Sequence, residues 1–204
     1  MNTHSGNNSG VGSTINLGTT TNTIYANSIV AGQTKGNTSK IQFFGSTGSL
    51  RLRGVAGGDT DRVASIALGD RNNTGSGTTA GQLLFNGHFV DVKATTLSVG
   101  IDRSGSGGST HAGSGLVEFD QGTVDVTTIL MATSTSAGTA SSASGTITVG
   151  GTGALEVGSG GITLGNKSGG STGAKATLNI NAGATVNSAG NRPMPKCRKR
   201  AIGQ

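Results

Sequence analysis

Leu97-Ser98-Val99-Gly100 is followed, after a polar stretch, by Gly115-Leu116-Val117-Glu118-Phe119-Asp120-Gln121-Gly122-Thr123-Val124-Asp125-Val126, and then Leu130-Met131-Ala132-Thr133 begins the pattern again. Working outward, the same opening recurs as Ile66-Ala67-Leu68-Gly69 and Ile162-Thr163-Leu164-Gly165, with a looser copy at Ile29-Val30-Ala31-Gly32. Starts at 29, 66, 97, 130 and 162 lie 37, 31, 33 and 32 residues apart. A repeat near this period predicts a solenoid, in which each unit buries its apolar face only against its neighbours.

Each unit carries three short alternating signals. Apolar residues at i and i+2 mark a strand with one buried face. The first signal is the opening itself, as in Ile66/Leu68 and Leu97/Val99. The second is Ile41/Phe43, Leu83/Phe85, Val117/Phe119, Ile147/Val149 and Leu178/Ile180, and the third is Leu50/Leu52, Val90/Val92, Val124/Val126, Leu155/Val157 and Ala184/Val186. Three inward faces per turn predict a roughly triangular coil with an inner Phe43, Phe85, Phe119 stack. Corners fall at Asn86-Gly87, Asp120-Gln121-Gly122 and Asn181-Ala182-Gly183, residue types that tolerate the left-handed backbone of a tight turn. Between the first and second signals lie longer polar stretches, residues 70–81, 101–115, 133–145 and 166–176, rich in Gly, Ser, Thr, Ala and Asn. Their constant place in the repeat predicts loops along one edge, the natural contact sites of a solenoid.

The chain has 204 residues, 38 of them Gly, with two Pro, one Tyr and no Trp. So few large side chains argue against an ordinary globular core, and the regular spacing argues against disorder. The net charge of +6 is a property of the end: residues 191–204 hold five basic groups and no acid, and the rest carries ten basic against nine acidic. High charge therefore does not make the body a nucleic-acid binder. The division expected is a flexible segment 1–12, a solenoid over 13–190 with Thr14-Ile15-Asn16-Leu17 closing a preceding coil, and a disordered basic tail 191–204 that holds both prolines and Cys197. Proline cannot donate into a ladder, so the array stops there. The first residues show no signal-peptide pattern, no stretch is apolar enough to span a membrane, and neither end offers a cap.

The units around residues 97–126, and Ala176-Thr177-Leu178-Asn179-Ile180-Asn181-Ala182-Gly183-Ala184-Thr185-Val186, resemble the autotransporter-associated β-strand repeat of bacterial surface proteins. The resemblance covers roughly residues 24–190. It implies an all-β, right-handed parallel β-helix of about five coils, exported to the cell surface or outside the cell, serving as a stalk, adhesin or matrix component. Members usually carry a signal peptide and a C-terminal barrel or anchor, so the chain reads as a piece of a longer exported protein. The family has no shared catalytic residues to carry over.

His4, His88 and His111 occupy unrelated repeat positions and read as exposed turn histidines, not metal ligands. Asp59-Thr60-Asp61 after Gly57-Gly58 is a lone calcium-turn-like motif, which normally needs tandem copies. Asp91 and Asp125, each between valines, are expected to stack in adjacent coils at about 4.8 Å with Glu156 beyond. That column is the one enzyme-like feature, without companion Arg or Lys. The expectation is therefore no catalytic residue, no cofactor and no metal site. Expected function is a structural or adhesive repeat segment that meets glycans or a host or neighbouring cell surface through its loop edge and adjoins neighbouring repeats of a longer chain, with no specific nucleic acid. The alternatives are a carbohydrate-active β-helix lyase or hydrolase, and a nucleic-acid binder acting through the basic tail.

Overall fold

A computed structural model describes residues 12–34, 36–72, 77–104, 111–137 and 141–189. It contains β1 (Thr14–Leu17), β2 (Thr21–Tyr25), β3 (Ser28–Gln33), β4 (Thr38–Phe43), β5 (Ser49–Arg53), β6 (Val63–Arg71) and β7 (Gly77–Leu84). These are followed by β8 (Phe89–Asp102), β9 (His111–Phe119), β10 (Gln121–Ser134), β11 (Ser141–Val149), β12 (Ala154–Lys167), β13 (Gly173–Ile180) and β14 (Thr185–Ser188). One sheet stacks β1-β4-β7-β9-β11-β13, and the other stacks β2-β5-β8-β10-β12-β14, with β3 paired to β6 and β6 to the second half of β8. Every pairing is parallel and climbs one repeat at a time. The chain is thus a β-solenoid of about five turns.

Alternation builds the walls. In β9 and β11 every second residue is buried, which places Val117, Phe119, Ile147 and Val149 inside. The expected inner stack is present: Phe43 and Phe85 meet edge-on at 6.0 Å between ring centroids, Phe119 is fully buried, and Val149 lies in register with Phe119 and Ile180.

Two expectations are corrected by the strands. The third signal of one unit and the first of the next do not form separate strands in β8, β10 and β12, each of which runs 14 residues. The corner survives as a bend inside the strand: Thr95 and Thr96 both lie outside between buried Ala94 and Leu97, as Thr127 and Thr128 do between Val126 and Ile129. The register is also slipped. Val92, not Val90, pairs with Val124, and Ala94 pairs with Val126. Ile129, not Leu130, pairs with Leu97 and Ile162, so that unit opens one residue earlier than its leucine suggests. A one-residue shift exchanges the two faces of a strand, so Leu130 points out.

Beyond the anchors the two sheets pinch together. Gly32, Gly69, Gly100, Ala132 and Gly165 occupy one column in register, all with positive φ (69°, 66°, 75°, 54° and 70°). A Cβ on Gly100 would lie 1.8 Å from the Ser144 carbonyl oxygen, and one on the facing Gly115 would lie 2.4 Å from the Gly100 nitrogen. Backbone therefore packs directly on backbone at this seam.

The ends differ. In the first coil Asn22 takes the inward position that Leu50 holds below it. Its side-chain amide donates to the carbonyls of Gly18, Thr20 and Ser49 and accepts from the Gly18 amide, which caps that corner where no cap was expected. In the last coil Leu164 and Ile180 are each 54 % exposed.

Candidate functional site

Among the described residues, the edge expected to carry loops is mostly strand. β6, β8, β10 and β12 run outward past the pinch to Arg71, Asp102, Ser134 and Lys167, and the next strands return from Gly77, His111, Ser141 and Gly173. Residues 70–71, 77–81, 101–102, 111–115, 133–134, 141–145, 166–167 and 173–176 are therefore walls of a wing. The reason is the glycine seam: once the two sheets touch, ladders on both can continue outward beyond it.

The wing encloses polar side chains. Arg71, Asp102, His111, Ser104, Ser134, Ser136 and Ser141 are all 1 % exposed or less. Arg71 and Asp102 are register partners on β6 and β8, and His111 reaches in from β9. Arg71 Nη1 donates to the Thr34 carbonyl at 2.7 Å. Asp102 Oδ1 accepts from the Ser104 amide and hydroxyl at 3.0 and 2.6 Å, and Ser104 and Ser136 hydroxyls meet at 3.2 Å. Arg71 Nε and Nη2, Asp102 Oδ2, both His111 ring nitrogens and Ser134 Oγ have no partner among the described residues. Burial pulls the Arg71 guanidinium below its ordinary range against the opposing charge of Asp102. Burial, and then the Arg71 charge, pull His111 below the usual imidazole range, with Asp102 opposing. His88 is likewise not an exposed turn residue: it is 7 % exposed and stacks on Phe43 at 3.8 Å and 8°. His4, Cys197 and the basic tail lie outside the described residues.

The expected acid column does not form as drawn. Asp91 stands opposite Arg51 and Thr123, and Asp125 stands opposite Lys93 and Glu156. The cause is the two-residue register slip described above. Each aspartate is held by cations: Arg53 donates to Asp91 at 2.5 Å, and Arg62 and Lys93 each reach Asp125 at 2.8 Å. Burial pushes the Asp125 carboxyl up, but hydrogen bonds from Lys93 and Arg62, with their charges, outweigh it and hold the group below the ordinary carboxylate range. A carboxylate so held is a poor proton donor or shuttle near neutrality. Asp59 pairs with Arg51, and Asp61 accepts from the Gly57 amide, so that motif braces its own loop. Among the described residues no group of three or more His, Cys, Asp or Glu could hold a metal ion.

Sequence reasoning missed Arg62, Lys93, Arg71 and His111 as structural actors. Lys93 was findable, because aligning Ala94 with Val126 puts it beside Asp125. Arg62 was not, because residues 54–62 have no counterpart in other units and their path across the outer face is tertiary. No protein-family model, curated protein or solved structure matches this chain.

Proposed function

We propose that this chain is a structural or adhesive repeat segment of an exported bacterial surface protein, acting outside the cell or at its surface. The observation that carries the reading is the parallel stack of both sheets, which continues from the first coil to the last. Such a stack suits a stiff spacer with a repeated edge, and in its wing small residues such as Ala112 and Ser114 recur as Ser142 and Ser144 in the next coil, about 4.8 Å away. Resemblance to the autotransporter-associated β-strand repeat supports export. Weak contacts to glycans or a neighbouring cell surface, repeated along the wing, add by multivalency. The chain is read as a non-enzyme, since the paired aspartates that favoured a carbohydrate-active role are out of step and engaged by arginine and lysine. The test is retention of the purified chain on glycan surfaces and intact cells, run beside an assay for reducing-sugar or unsaturated product. Retention without turnover is expected. Product release that Glu156→Gln abolishes, or no retention on any surface, would sink the reading.

A further inference from the structure

We propose that the bend of the last two coils is a binding site for a guanidinium group. The reasoning rests on what the chain does with the same place two coils earlier. At the bend of β8 and β10, Arg62 lies across Lys93-Ala94-Thr95 and Asp125-Val126-Thr127. Its Nη1 donates to the carbonyls of Ala94 and Asp125 at 3.0 and 2.9 Å, and its Nη2 donates to both carboxylate oxygens of Asp125 at 2.8 Å. That seat is two stacked backbone carbonyls with a carboxylate beside them.

Register carries the seat forward. Asp125 and Val126 pair with Glu156 and Val157, and these pair with Asn187 and Ser188. The equivalents of Asp125-Val126 are therefore Glu156-Val157 and Asn187-Ser188, followed at the bend by Gly158 and Ala189, where β12 holds two more residues than β10. Those six residues, with Asp125, line an open cleft of about 630 Å³. The Val157 and Asn187 carbonyls hold the places of the Ala94 and Asp125 carbonyls. The carboxylate is supplied by Glu156, one coil nearer than in the Arg62 seat. Asn187 Nδ2 donates to Glu156 Oε1 at 2.8 Å, which steadies the carboxylate through that one oxygen. Glu156 makes no ion pair among the described residues, although the acid next to it, Asp125, has two.

The local sequence explains why no internal arginine reaches this bend. Residues 54–62 bring Arg62 across the earlier one, whereas Thr127 and residues 158–160 at the later bends carry no charge. A planar fork of N–H donors meets a carbonyl and a carboxylate together, which an ammonium point charge does less well. Two sources have this chemistry: a separate arginine-bearing molecule, or the chain itself, which runs on from Ala189 at the rim to Arg192, a residue outside the described ones.

The experiment titrates the full chain with L-argininamide at low salt and follows the amide resonances of residues 156–158 and 187–189. Saturable shifts confined to those amides are expected, weakened about tenfold in Glu156→Gln, where one charge-assisted contact is lost. Glu118→Gln, at a different corner, leaves them unchanged. If Arg192→Gln tightens the probe, the chain's own arginine competes for the seat; if it does not, the ligand is a separate molecule. Absence of saturable shifts in both the parent and the Arg192→Gln chain overturns the proposal, as do shifts that Glu156→Gln leaves intact while its circular dichroism stays native.

Discussion

Gly100 shows how much a single hydrogen can carry. Its φ of +75° disfavours any side chain, and an added Cβ would sit 1.8 Å from a carbonyl oxygen that belongs to the opposite wall. Gly100→Val is expected to cost more than about 3 kcal/mol, from left-handed strain plus overpacking. Ala132 holds the same column at φ +54°, so Ala132→Gly should stabilise by up to about 1 kcal/mol. Urea unfolding midpoints of the two variants check both signs. His111 makes a second prediction. Its folded pKa lies below the ordinary value of 6.5, so above 6.5 both states are neutral and no stability is lost. As pH falls below 6.5 the unfolded chain takes up a proton that the folded chain refuses, and stability drops until the lower folded pKa is reached. Unfolding curves at pH 7.5 and pH 5 should therefore differ by less in His111→Gln than in the parent chain; equal pH dependence in both would refute the assignment.

At the scale of the element, the bent 14-residue strand is the working unit. Leu130 is large and apolar, yet the ladder places it outside and puts Ile129 and Met131 in the core. Ile129→Ala is expected to cost about 2–5 kcal/mol and Leu130→Ala under about 1 kcal/mol. The reverse order, measured by thermal or denaturant unfolding, would mean the opposite register. The opening Leu130-Met131 attracts the wrong alignment because two apolar neighbours satisfy alternation in either phase, and only pairing to Leu97 and Ile162 chooses between them. The wing is a related case. Its strands are mostly Gly, Ser, Ala and Thr, and the Gly and Ala among them have weak strand preference on their own. They are held extended by the ladders above and below, which local composition does not report.

For the whole molecule, contacts run between neighbouring coils, so stability is distributed along one dimension. The middle coils, with Val63, Val92, Leu97, Val126 and Ile129 all 2 % exposed or less, are sandwiched on both sides. Among the described residues the last coil is covered on one side, and Leu164 and Ile180 are each half open. Hydrogen exchange is therefore expected to be slowest in β8 and β10 and progressively faster through β12, β13 and β14, with the first coil slowed by its Asn22 cap. Uniform protection from end to end would show instead a single cooperative unit.

Period and alternation were enough, from the amino-acid order alone, to determine a parallel β-solenoid with about 32 residues per turn, an inner phenylalanine stack and a polar edge always in the same place. Those properties are local and repeat, so each unit announces them again. Register was decided only by the tertiary structure, and with it the partners of Asp91 and Asp125, the outward turn of Leu130 and the burial of His111. Each depends on which coil lies next to which, and a shift of one or two residues costs the local pattern almost nothing while exchanging every neighbour.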